Sequence, residues 1–354
     1  MDSVSSLSKF ELQIFEEICR SFGLESLSSH QMLCLITVSR DRNDVFVSTK
    51  TGSGKTLSYQ ALPLFDSLLK KKQLSTRTSP STIVIIVSPL ISIMEEQCKY
   101  LKSLGFSASY IGHAEEENRK ILLGEYQFVF CCPETLLAKS FWRNMVSSAL
   151  YSERLIAIVV DEAHTLLGWG DSSKTEAFRA WFNHIGELRS LSPGVPVIAL
   201  TATTSNRTRR LIRRNLCINS NAIEIVDSPD RENAKLSVLK SIMETAKVYN
   251  DLEVKVGHRH INMYHSCTPD PVKEIIRKDM SDPDGSIRVL ICTSAAGMGV
   301  HNVVNFGPPY DVDMFLQMLG RAGRDGKQSD HILIYNGRQL NKKVDHLMTK
   351  YINT

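Results

Sequence analysis

A segment rich in glycine and hydroxyl side chains has the composition and setting of a phosphate-binding loop. It stands between a short apolar run and a stretch with helical periodicity, and it reads Thr49-Lys50-Thr51-Gly52-Ser53-Gly54-Lys55-Thr56. Gly52 and Gly54 allow the backbone to turn so that its N–H groups face a phosphate at the start of the following helix. Lys55 is then expected to bridge the β- and γ-phosphates of a nucleotide, and the Thr56 hydroxyl to bind Mg²⁺. The strict pattern has glycine at the position of Thr49, so a chance Gly/Ser turn stays open as an alternative.

A pair of acidic residues supplies the second chemical element. Asp161 and Glu162 directly follow an entirely apolar run at 155–160, which is typical of a buried strand. Ligands of α/β proteins sit at the carboxyl ends of strands, so Asp161 is expected beside the phosphates, where it would bind Mg²⁺. Glu162 is expected to orient and deprotonate an attacking water. Together with the phosphate-binding loop, this pair predicts hydrolysis of a nucleoside triphosphate.

Three further segments carry hydroxyl or guanidinium groups. A strand-like run at 197–203 brings the Thr201 and Thr203 hydroxyls to the same sheet edge. Arg321 and Arg324 lie three residues apart on a helix-like turn, where they share a face. Guanidinium groups from a second unit can stabilise charge that develops on a γ-phosphate, although a surface arginine pair is the alternative. The basic stretch at 207–214 is either a phosphate-contacting face or simply an exposed helix surface.

The elements that position these residues alternate between short β-type runs and helical stretches, which predicts an α/β fold with mostly parallel sheets. Strands are predicted at 45–47, 82–87, 128–130, 155–160 and 197–200, and in a second unit at 261–264, 287–293, 303–306 and 331–335. Helices are predicted at 57–71 and 91–104. We expect a first lobe at 1–226, a linker at 227–240 and a second, smaller lobe at 241–354.

Composition excludes disordered and fibrous classes, because 42% of the 354 residues are hydrophobic and 23% are charged. The net charge of +4 is too small to argue for or against a nucleic-acid partner. We expect no membrane partner, because the start lacks a signal-like pattern and the most apolar stretch, 82–94, is interrupted and short. The eight cysteines show no metal-ligand spacing, so we expect reduced thiols and no structural zinc.

Taken together, these segments resemble the superfamily 2 helicases and, within them, the RecQ family. The similarity runs from about residue 10 to the end of the chain and is carried by residues 51–56, 88–97, 161–164, 199–203, 296–300 and 317–326, and by Phe22-Gly23 with Gln31. The Ser-Pro-Leu-Ile-Ser run at 88–92 and the Gly-Arg-Ala-Gly-Arg-Asp-Gly run at 320–326 are distinctive of RecQ rather than of DEAD-box RNA helicases.

The resemblance implies two RecA-like P-loop lobes that bind ATP and Mg²⁺ between them and use hydrolysis to move 3′ to 5′ along single-stranded or forked DNA. It implies that Gln31 reads the adenine and that residues 51–56 hold the phosphates. It also implies that Arg321 and Arg324 reach the nucleotide from lobe 2. A role in DNA repair and recombination and residence in the nucleus are implied in the same way.

An aromatic-rich loop after the acidic pair is also implied by the resemblance. Trp169, Phe178 and Arg179 would there bind DNA by base stacking and phosphate contact, whereas packing of the rings inside lobe 1 is equally expected. Trp169-Gly170 matches the start of that loop, but residues 172–174 depart from the family pattern.

The second lobe departs from the family more strongly. No motif IV is recognisable before 258–266, and motif V, near 296–306, is clipped, so this lobe is expected to be shortened and incomplete. The chain ends about where the family's zinc-binding cysteines would begin, so we expect neither that module nor a winged helix. Two other functions stay open: a nucleotide- and nucleic-acid-binding protein that does not unwind, and another P-loop enzyme such as an RNA helicase.

Overall fold

The chain divides into two units, Met1–Ser228 and Pro229–Thr354. A computed structural model describes residues 7–50, 52–73, 81–165, 184–202, 204–227, 234–239, 261–264, 269–282, 286–287, 289–292, 302–306, 308–309, 311–323, 327–335 and 344–353.

The first unit is built on a seven-stranded parallel sheet with the strand order β3-β4-β2-β5-β6-β1-β7. Its strands are β1 Val45–Ser48, β2 Ile83–Val87, β3 Ala108–Tyr110, β4 Phe128–Cys131, β5 Leu155–Val160, β6 Val197–Thr201 and β7 Ile223–Val226. Every residue of β1, β2, β4, β5 and β6 is buried, as continuous Val- and Ile-rich runs predict for strands covered on both faces. The sequence patterns missed β3 and β7, which are short strands at the two sheet edges.

Helices cover both faces of this sheet. They are α1 Lys9–Phe22, α2 Ser29–Leu35, α3 Leu57–Gln60, α4 Leu62–Gln73, α5 Ile91–Ser103, α6 Glu115–Leu122, α7 Pro133–Ala138, α8 Ser140–Val146, α9 Ala149–Arg154, α10 Glu187–Leu191 and α11 Asn206–Asn215. Successive strand residues enter two different buried clusters: Val45 and Val47 join one, and Phe46 joins the other. The predicted helix at 57–71 is divided into α3 and α4 at Ala61, because Pro63 has no N–H to continue the helical hydrogen bonds.

The second unit carries smaller parallel sheets. β8 Ala234–Leu239 and β11 Val303–Phe306 flank β12 Ser329–Ile334, and β9 Ile261–Tyr264 pairs with β10 Val289–Cys292. Its described helices are α12 Asp270–Ser281, α13 Val312–Leu319 and α14 His346–Asn353. Phe315, Leu333, Tyr335 and Met348 form its buried core in the described part. The α/β fold with two lobes and a small second sheet is confirmed.

The segment 234–239, which the sequence patterns assigned to a linker, is a strand hydrogen-bonded to β12. Six cysteines of the described part are free thiols. Burial raises the pKa of the Cys34 and Cys98 thiols to about 12, so these two thiols stay protonated. Among the described residues, no helix combines the length and the apolar composition needed to cross a lipid bilayer.

Candidate active site

The glycine-containing loop joins the carboxyl end of β1 to α3, as the sequence predicts. Gly52 and Gly54 adopt φ values of +86° and +78°, which only glycine adopts without strain. The Ser53 N–H donates to the Lys50 carbonyl at 3.2 Å, and the Leu57 N–H donates to the Gly54 carbonyl at 3.1 Å, where the helical turn begins. The loop therefore has a backbone turn followed by a helix start, which is the arrangement that binds phosphate groups.

Thr49, where the strict motif has glycine, contributes to the loop in this chain. The residue is fully buried, and its hydroxyl lies 2.7 Å from the Ser53 hydroxyl. Its backbone N–H donates to the Thr201 carbonyl of the neighbouring β6 at 3.4 Å. Thr49 thus links the loop both to itself and to the sheet.

The Lys55 ammonium folds back across the loop. Its Nζ donates to the carbonyl oxygens of Thr49 at 2.9 Å and of Lys50 at 3.0 Å. These contacts hold the cation beside the turn that would surround a phosphate group. A bound anion would compete with the two carbonyls for the same ammonium.

Gln31 joins the start of α2 to the loop. Its Oε1 accepts from the Ser28 N–H at 2.8 Å, which completes a capping box, and its Nε2 donates to the Gly54 carbonyl at 2.9 Å. A Cβ atom on Gly54 would stand 2.6 Å from that nitrogen. The positive φ therefore favours glycine at position 54, and a Cβ atom there would displace the Gln31 amide from its hydrogen bond to the loop.

The sequence motifs did not identify His30 as a site residue. The one feature of the sequence that could have pointed to it is its position next to Gln31. Its Nδ1 lies 3.0 Å from the Ser28 hydroxyl. Burial lowers the pKa of His30 and the positive charge of Lys55 lowers it further, whereas Asp227 and a hydrogen bond with the Ser53 backbone act in the opposite direction. His30 therefore lies against the loop and within the field of Lys55.

The acidic pair follows β5 at the same edge of the sheet. The Asp161 N–H donates to the Val87 carbonyl of β2 at 2.9 Å, and Asp161 Oδ1 accepts from the Glu162 N–H at 2.9 Å. Burial, followed by the negative charge of Glu162, raises the pKa of Asp161 to about 7, and the positive charge of Lys55 opposes that rise. The structure thus brings Asp161 and Lys55 into one electrostatic environment.

Tyr59 is a second residue that the motifs did not single out. It is fully buried, and its hydroxyl makes no hydrogen bond to the residues that the structure describes. Burial and the charge of Asp161 raise the pKa of Tyr59 far above its ordinary value. The phenol therefore stays neutral at the side of the Asp161 carboxyl.

Glu162 has a strained backbone and connects two of the motifs. Its φ of +49° is unusual for a residue with a side chain, and such strain concentrates at functional sites. Glu162 Oε2 lies 3.3 Å from Nδ1 of His164, and the same nitrogen lies 3.1 Å from the Thr201 hydroxyl at the end of β6. A polar chain therefore runs from the acidic pair to the neighbouring strand end.

Several sequence-predicted site residues lie outside the described part of the chain, namely Thr51, Trp169, Phe178, Arg179, Thr203 and Arg324. Arg321 is described: it follows α13 in the second unit, is partly buried, and its N–H donates to the Met318 carbonyl at 3.1 Å. The first unit alone therefore brings together Gln31, the loop and the acidic pair.

The donor set at this edge suits a hard divalent cation. Mg²⁺ prefers carboxylate and hydroxyl oxygens, and Asp161 and Thr56 offer both types. Burial and, after it, the negative charge of Glu162 raise the pKa of Asp161, and Lys55 compensates this only in part. A divalent cation at this position would supply the missing positive charge.

Comparisons with known proteins point in the same direction. The sequence profile of DEAD/DEAH box helicases matches residues 28–211, and that of the helicase conserved C-terminal domain matches residues 230–326. The ATP-dependent DNA helicase RecQ of Haemophilus influenzae is 26% identical over 349 residues, covering 89% of this chain and 52% of that protein. The probable ATP-dependent DNA helicase RecS of Bacillus subtilis is 28% identical, covering 88% of this chain and 65% of that protein.

Among solved structures, the DUF1998 helicase MrfA bound to DNA and AMPPNP superposes with a TM-score of 0.69 at 17% identity, covering 98% of this chain and 52% of that one. This likeness concerns the fold alone. The chain spans about half the length of the RecQ relative and of MrfA.

Proposed function

Since the chain belongs to the DEAD/DEAH box helicase family, we propose that it is an ATP-dependent 3′-to-5′ DNA helicase of RecQ type. It would bind ATP with Mg²⁺ at the carboxyl edge of the first sheet and hydrolyse it when single-stranded or forked DNA is bound. Work in DNA repair and recombination inside the nucleus belongs to the same proposal. The observation that carries it is the convergence of Lys55 and Asp161, from two distant segments, in one electrostatic environment.

The residues divide the chemistry between them. The loop N–H groups and Lys55 hold the phosphates, and Gln31 and residues 51–54 position the nucleotide. Thr56 and Asp161 would hold Mg²⁺, which neutralises phosphate charge when bound. Glu162 accepts the proton of the attacking water, and its strained backbone together with the contact to His164 restricts where the carboxylate can point.

The second unit would complete the site. Arg321 and Arg324 are proposed to reach the γ-phosphate, because guanidinium groups supplied from another unit accelerate such transfers by about 10³ to 10⁵. The proposed division is a first lobe at 1–226, a linker at 227–240 and a second lobe at 241–354, to whose sheet the linker contributes strand β8 at 234–239. The match of the C-terminal helicase profile to residues 230–326 supports two lobes.

DNA rather than RNA is favoured by the segments at 88–97 and 317–326 and by relatives whose names specify DNA helicases. Trp169, Phe178 and Arg179 are proposed to stack on bases and to contact the strand. Each stacked base would contribute roughly 1–3 kcal/mol.

A steady-state ATPase assay with and without single-stranded DNA tests the proposal. We expect DNA to stimulate hydrolysis in the original protein and Lys55→Ala to abolish it, whereas Lys99→Ala, which removes an exposed lysine of α5, leaves it unchanged. Single-stranded RNA should stimulate less than DNA. Duplexes with a 3′ or a 5′ single-stranded tail then test polarity, and unwinding that starts only from the 3′ tail is expected.

A second candidate function is binding without unwinding. It is favoured by the second unit, whose described strands form separate sheets of only three and two strands. ATP binding that Lys55→Ala removes, together with hydrolysis that DNA does not stimulate, would support this second function and refute the first.

A further inference from the structure

Helix α11 has an unusual charge pattern. Five of its ten residues are arginine, and it contains no acidic residue. The helix packs on the first sheet through Ile212, which is fully buried. Where each arginine points therefore decides whether this charge is compensated.

Two of the arginines are neutralised within the fold. Arg209 Nη1 lies 3.5 Å from Oε2 of Glu224 on the edge strand β7, and Arg213 forms an ion pair with the same carboxylate. Both arginine side chains are partly buried. This pair attaches α11 to the edge of the sheet.

The other three are exposed: Arg207, Arg210 and Arg214, which we call the arginine row. In the structure as described, none of the three makes an ion pair or a hydrogen bond through its side chain. Their spacing of three and four residues places them within about 60° of one another around the helix and about 10.5 Å apart from first to last. The row points roughly 100° away from the pair that binds Glu224.

The like charges of the row repel one another. Like charges three or four residues apart repel by a few tenths of a kcal/mol. Arg207 also lies in the first turn, where the helix dipole disfavours a cation. Helix α6 of the same unit shows the usual solution, because its Arg119 and Lys120 pair with Glu115 and Glu116 one turn earlier. Within the described residues no carboxylate compensates the row, so it is available to an external anion.

We propose that the arginine row binds the phosphodiester backbone of a nucleic-acid strand, which gives the first unit a contact outside its helicase motifs. A strand in a duplex advances about 3.4 Å per phosphate, so a row of about 10.5 Å covers about three phosphate spacings, enough for each guanidinium to reach a different phosphate. Guanidinium groups bind phosphate oxygens in a bidentate manner, which a solvated ammonium does less well. The inference rests on the proposed nucleic-acid partner.

The row begins close to the candidate active site. Ser205 caps α11, and its neighbour Thr204 shares a 3.2 Å hydrogen bond between hydroxyls with Ser48, which ends β1. A strand held by Arg207 would therefore lie at the edge of the sheet where the phosphate-binding loop starts.

The test is equilibrium binding of a fluorescent oligonucleotide, measured by anisotropy over a range of salt concentrations. The variant Arg207→Gln/Arg210→Gln/Arg214→Gln removes the row. The control Lys71→Gln/Lys99→Gln/Lys102→Gln removes the same charge from exposed positions on α4 and α5. Circular dichroism checks that both variants keep their helices, and an Arg→Lys version of the row variant should restore part of the binding.

Three lost contacts to a single strand should reduce the slope of log K against log salt by about 2 and weaken binding at 0.15 M salt by about 50-fold. Parallel measurements with DNA, RNA and duplex identify which backbone the row prefers. The inference is overturned if the row variant binds every oligonucleotide as tightly as the lysine control does. Polyglutamate serves as a polyanion without phosphate groups, and a row variant that loses binding to polyglutamate but keeps its binding to oligonucleotides also overturns the inference. Failure of the original protein to bind any oligonucleotide would instead refute the proposed function.

Discussion

Replacing Asp161 by asparagine should stabilise the protein while destroying its site. Burial and the negative charge of Glu162 raise the pKa of Asp161 from an ordinary value of 3.8 to about 7. The interval between these values corresponds to about 4 kcal/mol at 25 °C. The unfolded chain releases this proton first as the pH rises, so the folded state loses up to about 4 kcal/mol of stability between pH 4 and pH 7.

The asparagine variant carries no proton to lose and should escape this loss. The stability gained in Asp161→Asn is therefore expected to be near zero at pH 4 and to approach about 4 kcal/mol at pH 8. Urea unfolding in the absence of metal, followed by tryptophan fluorescence, measures it. All three tryptophans belong to the first unit, so the signal reports on the unit that contains Asp161.

Two comparisons make this result specific. Glu125→Gln, which removes an exposed carboxyl of the same unit, should change stability by less than about 0.5 kcal/mol at every pH. Mg²⁺ with ADP should stabilise the original protein more than Asp161→Asn, because the variant keeps the phosphate contacts of the loop and loses a ligand of the metal ion. The reasoning is refuted if Asp161→Asn is no more stable than the original at pH 8, or if its advantage does not depend on pH.

Three further substitutions separate binding from turnover. Glu162→Gln should retain ATP affinity and lose about 10²- to 10⁴-fold in turnover, because it removes the proton acceptor; unchanged turnover in single-turnover assays would contradict this role. Arg321→Ala should slow hydrolysis by about 10³-fold with little change in affinity, and a large loss of ATP affinity at unchanged turnover would exclude this role. Gly54→Ala should weaken binding of a fluorescent nucleotide by about tenfold or more, because a side chain at its positive φ costs about 1–2 kcal/mol and meets Gln31.

Matched variants isolate these effects. Gly52→Ala carries a similar backbone strain, but a Cβ atom there meets nothing within 4 Å, so it should weaken nucleotide binding less than Gly54→Ala. In the double variant Gln31→Ala/Gly54→Ala, nucleotide binding should come closer to that of Gly52→Ala, because the side chain that the new Cβ atom meets is gone. If Gly52→Ala and Gly54→Ala weaken nucleotide binding equally, the argument from Gln31 is contradicted. Arg277→Ala, an exposed position in the second unit, serves as the control for Arg321→Ala.

Much of the first unit could be predicted from local patterns. The buried strands were recognisable because a strand covered on both faces must be apolar at every position, and 155–160 matches β5 to the residue. The short edge strand β7 was missed because it alternates and stays partly exposed. Strand β8, within the predicted linker, was missed because its partner β12 lies some ninety residues away in the chain.

The candidate site shows the same division. Lys55, Thr56, Asp161 and Glu162 were identifiable because each directly follows a strand or a glycine turn, and those signals span only a few residues. The places of His30 and Tyr59 were not identifiable, because their neighbours come from other segments. Glu224 decides which arginines of α11 are paired, and it lies on strand β7. The pattern of residues within the helix therefore could not reveal the pairing.

The amino-acid sequence by itself determined the buried strands of the first unit and the chemical groups at their ends. Hydrophobic period, glycine position and the alternation of elements act over short stretches of chain. Only the tertiary structure decided which of those groups meet, how far burial shifts the pKa of Asp161, and which charges stay uncompensated. Those properties depend on distance and solvent exclusion between residues far apart in the chain, and a linear pattern does not contain them.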